Sequence, residues 1–154
     1  MEPSGRGDKE VYFIIDSKDQ SIFVVNSGKV GVEFYKTRGA RRADNGVAIY
    51  QCLYGQGILI MQRNEETGEA KEFKVVTIQQ GRQIVIPAGF YFSLINVGKG
   101  YLVVLDNYAY DPKMEQNYEI SLKRGFAYYV IEKKGEIAFE QNPNYKVLPQ
   151  ITTE

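Results

Sequence analysis

The feature that most limits what this chain can fold into is the way glycine cuts it into short β-branched and aromatic segments. Fifteen glycines are spread over 154 residues, and the stretches between them are rich in Val, Ile, Tyr and Phe. That is strand composition bounded by turn residues. Candidate strands are Val11–Ile15, Ser21–Val25, Val30–Thr37, Val47–Tyr54, Ile58–Arg63, Glu72–Ile78, Gln83–Ile86, Phe90–Asn96, Tyr101–Tyr108, Phe126–Glu132 and Glu136–Gln141. Several alternate with period two. In Val30–Thr37 one face takes Val30, Val32 and Phe34, the other Glu33, Tyr35 and Thr37. Asn64–Ala70 (NEETGEA) reads as a polar hairpin loop and Lys133-Lys134-Gly135 as a tight turn. Helical spacing is poor, and Pro112–Lys123 is the best helical candidate. No repeat or linker divides the chain, so a single all-β domain over residues 1–154 is expected. About eleven short strands with turns between them predict a sandwich or a barrel.

Composition narrows the chemistry. The chain has no histidine, so a Ser-His-Asp or Cys-His nucleophile would lack its base. The commonest transition-metal ligand is missing too. Proton transfer would fall to Asp, Glu, Lys or Tyr. Nineteen basic residues balance nineteen acidic ones, which gives no electrostatic push toward nucleic acid or an anionic membrane. Cys52 is the lone cysteine and cannot form an internal disulfide, which fits a reducing cytoplasm. No apolar run approaches the roughly 18 residues of a membrane helix, and the first residues, MEPSGRGDKE, lack an apolar signal core. A cytoplasmic protein is expected.

Residues 81–96, GRQIVIPAGFYFSLIN, place Gly81, Pro87, Gly89 and Asn96 at the spacing G-x5-P-x-G-x6-N. This resembles the second conserved motif of the cupins, in which a strand, a Pro-Gly turn and a returning strand line a barrel. The resemblance implies a single cupin jelly-roll. It puts a metal-binding histidine where this chain has Phe92. The stretch from Thr37 to Gly55, TRGARRADNGVAIYQCLYG, resembles the first cupin motif with one residue deleted. There Ala40 and Arg42 take the places of two histidine ligands, and Ala48 that of the glutamate ligand. All four metal positions are substituted, so neither metal nor other cofactor is expected.

A closer resemblance runs from Gly28 to Lys146. GKVGVEFYKTRG, IPAGFYFSLINVG and KRGFAYYVIEKKGEIAFEQNPNYK are similar to the cupin-type phosphoglucose isomerases of archaea, whose longer N-terminal region has no match in this sequence. Those enzymes use a metal and a carboxylate to interconvert glucose 6-phosphate and fructose 6-phosphate. The resemblance makes Thr37 and Gly39 phosphate binders and Tyr50, Tyr108 and Tyr118 pocket hydroxyls. The catalytic glutamate becomes Ala48, a substrate-side histidine becomes Gln116, and a threonine at the phosphate end becomes Phe23. It implies a cup that has lost its metal and base and kept part of its phosphate and hydroxyl contacts.

Each residue also has a plainer reading. Phe92 and Ala48 fill a dead metal cavity or floor a new one. Arg42, with Arg38 and Arg41, replaces the lost cation or belongs to a solvated loop. The tyrosines are ligand hydroxyls or barrel aromatics. Cys52 is a small core residue rather than a nucleophile. Glu33 and Asp44 are candidate bases or rim charges. Three functions stay open: a metal-free cupin binding a small phosphorylated or polyhydroxylated ligand in the barrel; a metal-independent isomerase, epimerase or cyclase using Tyr50 and Glu33; and an interaction module collapsed around Phe23, Phe90 and Phe92. Cupins usually pair through a strand edge, since an open sheet edge invites pairing, so the resemblance implies a homodimer.

Overall fold

The computed structural model describes residues 10–42 and 46–154. Its elements are β1 (Tyr12–Asp16), β2 (Ser21–Val25), β3 (Lys29–Val30), β4 (Glu33–Phe34), β5 (Ala48–Tyr54), β6 (Gln56–Asn64), β7 (Ala70–Gln79), β8 (Gln83–Ile86), β9 (Tyr91–Asn96) and β10 (Leu102–Asp106). A 3₁₀ turn (Pro112–Glu115), a short helix α1 (Tyr118–Leu122), β11 (Tyr128–Lys133), β12 (Glu136–Gln141) and β13 (Ile151–Thr153) complete the order. A sheet ordered β1-β2-β10-β5-β8 packs on a sheet ordered β13-β7-β6-β9, and a third ordered β12-β11-β4-β3 lies to one side. The fold is the all-β cupin architecture.

Alternation places the core. Phe23 and Val25 on β2, Tyr50 and Cys52 on β5, and Phe92 and Leu94 on β9 join one interior cluster shared by the first two sheets. A second cluster forms on the other face of the β6–β9 sheet, where Ile60, Phe73 and Tyr91 meet Ile120 from α1, Phe126 from the connection after it and Val130 from β11. That sheet is therefore covered on both faces, which is why β6 (QGILIMQRN) is buried almost without alternation. The Lys134-Gly135 turn has both residues at positive φ, 52° and 77°, the two-residue geometry that twisted hairpins favour.

Two expectations are corrected, and one further strand appears. Val30–Thr37 is not one strand: Gly31 at φ 62° turns the chain between β3 and β4. At the turn Val32 is exposed and Glu33 is buried. Beyond the turn, Thr37 and Ala40 bond along β9, through Thr37 N to Leu94 O at 2.9 Å and Ala40 N to Phe92 O at 3.0 Å. Pro112–Lys123 splits into the 3₁₀ turn and α1. Finally, β13 pairs in parallel with β7; three residues near the end of a chain carry too short a pattern to announce a strand. Among the described residues no helix is long and apolar enough to cross a membrane.

Gln62 fastens the C-terminal layer to the barrel. It is fully buried; its Oε1 accepts from Ala127 N at 2.8 Å, and its Nε2 donates to the Tyr145 hydroxyl at 3.0 Å and to Asn64 Oδ1 at 2.8 Å. Replacing it with Leu strands the buried Ala127 amide, so Gln62→Leu is expected to lose roughly 2–4 kcal/mol of stability. Urea denaturation reads this directly, and a loss within experimental scatter would show that the clip is dispensable.

Candidate functional site

The positions where the resemblance places metal ligands do converge. Ala40, Ala48 and Phe92 are 7%, 1% and 3% exposed and pack in the same interior cluster, and Ala40 and Phe92 exchange backbone hydrogen bonds. None of the three carries a donor atom for a cation. Among the described residues no group of three or more Cys, Asp or Glu side chains is gathered to hold a metal. The residues present do not fit a metal ion here.

Rings fill the volume instead. Tyr50 stacks on Phe23 at 5.8 Å between centroids and meets Phe92 edge-on at 5.2 Å, both favourable aromatic geometries. Phe90 and Met114 join the cluster, Met114 from the 3₁₀ turn. The space left between Arg42, Ala48, Ile86, Phe90 and Phe92 has no room for a water molecule. Cys52 is 2% exposed in the same core, and burial pushes its thiol up, as suits a packing residue rather than a nucleophile.

At the rim of this core stands a carboxylate that the resemblance did not single out. Asp106 ends β10 opposite Tyr50 and Ser21 and is 1% exposed. Neither its oxygens nor the Tyr50 hydroxyl has a hydrogen bond of good geometry, yet the two groups lie close enough to affect each other's ionisation. Burial pushes the Asp106 carboxyl up from about 3.8 to about 6, against the opposing pull of Tyr50, Arg42 and the Tyr108 amide. Burial, and then the Asp106 charge, also drive the Tyr50 phenol well above its usual value. Nearby, Tyr12 and Tyr110 donate to Glu115 at 3.3 and 3.4 Å. The signal for Asp106 was present in β10, where LVVLD puts Leu102, Val104 and Asp106 on one face.

The other expected residues divide between two places. Arg42 lies over the Tyr108 ring at 4.0 Å and donates to Val47 O at 2.9 Å, at the barrel rim. Tyr118 is 74% exposed on α1, and Gln116 caps the 3₁₀ turn. Asp44 lies outside the described residues. Thr37, Gly39 and Glu33 line a cavity of about 750 Å³ outside the barrel, between the 33–39 segment and the turn from α1 into β11. Lys36, Arg38 and Arg124 border it, and Phe34, Ile120 and Phe126 supply its apolar wall. Asn117 ties its two sides by donating to Gly39 O at 2.7 Å. Glu33 is paired with Lys36 at 2.7 Å, which leaves it away from the interior ring cluster around Tyr50. Sequence reasoning missed Arg124 as a groove residue, because only the fold brings the end of α1 beside Gly39.

Asp106 gives the interior a pH dependence of known sign. A carboxyl whose folded value is raised holds more protons folded than unfolded, so its contribution weakens the protein as pH rises from about 4 to about 6, by roughly 2–3 kcal/mol in total. Asp106→Asn should remove that fall and match or exceed the parent's stability at neutral pH. Denaturation curves across the acidic range test this, and identical pH profiles for the two proteins would overturn it.

Comparison with known proteins agrees with the architecture. Residues 9–147 match the family model described as glucose-6-phosphate isomerase (GPI). The glucose-6-phosphate isomerases of Pyrococcus furiosus and Thermococcus onnurineus are 30% and 32% identical to this chain over 124 residues, which cover 80% of this chain. The chain spans 62% of the length of those relatives. Among solved structures, the Drosophila melanogaster CENP-C cupin domain matches 64% of this chain and 70% of its own, at 10% identity and a TM-score of 0.46. A likeness so slight adds nothing to what the sheets themselves show. On the family match, which runs through nearly all of the described strands, the chain belongs to the glucose-6-phosphate isomerase family of cupins.

Proposed function

We propose that this chain binds a small phosphorylated or polyhydroxylated molecule without isomerising it, in the groove beside Thr37 and Gly39 rather than inside the barrel, and that its working unit is a homodimer. The observation that carries the reading is the contrast between the two places. The interior at Ala40, Ala48 and Phe92 is packed shut, while a cavity of about 750 Å³ passes the family's Thr-x-Gly segment.

The groove's chemistry suits an anion. Arg38 and Arg124 offer guanidinium donors in the fork geometry that phosphate oxygens accept. The Thr37 hydroxyl accepts from Leu94 N at 3.0 Å and contacts Ser93 Oγ at 3.4 Å, which fixes the 37–39 segment along β9 beside these cations. Isomerisation needs a base beside the substrate's exchanging carbon. The Glu33–Lys36 pair holds the groove's carboxylate in a salt bridge, and Tyr50 sits inside the closed core.

A second reading, a non-catalytic interaction cupin, is favoured by the same filled interior around Phe23, Phe90 and Phe92. Calorimetry with glucose 6-phosphate, fructose 6-phosphate and inorganic phosphate separates the two. Binding that weakens about tenfold in Arg38→Ala and again in Arg124→Ala, roughly 1.4 kcal/mol each, is the expected result. No heat with any of the three at millimolar concentration would leave the interaction module standing. Interconversion of the two sugar phosphates above background, with or without added divalent metal, would defeat the proposed loss of activity. Turnover that survives a chelator and vanishes in Tyr50→Phe would point to a metal-independent enzyme.

A further inference from the structure

At the end of the barrel where β5, β7 and β9 finish and β6, β8 and β10 begin, three turns meet. The turns at 54–56, 80–82 and 97–101 enclose a second cavity, of about 610 Å³, within the roughly 300–1,000 Å³ common for small-molecule sites. It shares no lining residue with the groove beside Thr37. Its backbone is held firmly. Gly55, at φ 93°, brings the first turn down onto the third, since a Cβ there would lie 2.3 Å from Tyr101 O. The buried Asn96 ties the third turn: Nδ2 donates to Gly100 O at 2.8 Å and to Val25 O at 2.9 Å, and Oδ1 accepts from Gly98 N at 2.9 Å. The second turn is closed by Arg82 N to Gln79 O at 3.0 Å and anchored on β5 by Gly81 N to Cys52 O at 2.8 Å.

This rigid frame presents side chains that the fold itself does not use. Gln56 and Gln79 face each other across the β6–β7 ladder, with Gln80 next in the chain. Tyr54 and Tyr101 add two rings, 57% and 51% exposed, and Lys99 is the single charged group in the lining. Among the described residues, none of these six side chains is engaged in a hydrogen bond or an ion pair. Each amide offers both donors and an acceptor, and each phenol does both as well. Such groups match hydroxyls, which also donate and accept, while the tyrosine faces match the C–H faces of a sugar ring. An anion would find no guanidinium fork here, unlike beside Arg38 and Arg124. A metal ion would find no carboxylate. We infer that this turn-lined cavity is a second binding site, for a short neutral oligosaccharide. The inference does not rest on the reading of the groove beside Thr37.

Amide chemical shifts of the full chain, titrated with maltotriose and with cellotriose, test this. Either sugar should move the Gly98 and Gly100 backbone amides and the glutamine side-chain amides of this cavity, with saturation in the millimolar range. Tyr101→Ala should weaken the response about tenfold, and Gln80→Ala about fivefold. Both residues are exposed, so circular dichroism should match the parent, and either variant alone suffices if the other fails to fold. No shift with either sugar at tens of millimolar would overturn the site. So would shifts that persist unchanged in both variants. Inorganic phosphate should leave Gly98 and Gly100 still; phosphate moving them as strongly as the sugars would overturn the neutral ligand class. Phosphate shifts near Arg124 report on the other groove, so each reading can fail without the other.

Discussion

The Tyr50 ring, held between Phe23 and Phe92, is the contact on which the rest of the interior depends. Three large rings fit inside the two sheets only because small residues stand beside them. Ala40 and Ala48 occupy positions where the family resemblance expects longer ligating side chains. Protein interiors tolerate neither voids nor excess volume, so the rings and the small side chains beside them fill the interior together. Met114 from the 3₁₀ turn packs into the same cluster, and no water-sized gap is left beside Arg42 and Phe92.

Closing the interior has an electrostatic consequence at its rim. Asp106 is carried inward by the alternation of β10, as a leucine or valine would be there, and it meets a dry phenol instead of solvent. A buried carboxyl without strong donors favours its protonated form. The same burial that stabilises the rings therefore leaves a carboxyl that titrates near pH 6. It belongs to the folding energetics of the core, whereas the cations Arg38 and Arg124 border the groove outside.

Most of the strand layout was legible because apolar alternation and turn glycines act locally, and β2, β5, β8 and β12 fall within a residue of their expected limits. The β3–β4 turn was missed because Gly31 could as well have sat within a straight strand; the pairing of Lys29 with Phe34 decides otherwise. Of the site, the convergence of Ala40, Ala48 and Phe92 was legible through motif spacing. The separation of Thr37 from Tyr50 was not, since it depends on which side of β9 the 36–40 segment lies.

The sequence by itself carried the all-β pattern and the resemblance to the cupin-type isomerases, and it determined that Ala40, Ala48 and Phe92 hold no ligating side-chain atom, because these are matters of residue identity and local spacing. Only the tertiary structure decided that the cup is packed shut, that Glu33 pairs with Lys36, and that Arg124 stands beside Gly39. It also decided that the β6–β9 sheet is covered on both faces, by the first sheet and by the layer of α1 and β11. These are matters of which surfaces meet across long stretches of chain, and local pattern carries no information on how much volume is left when they do.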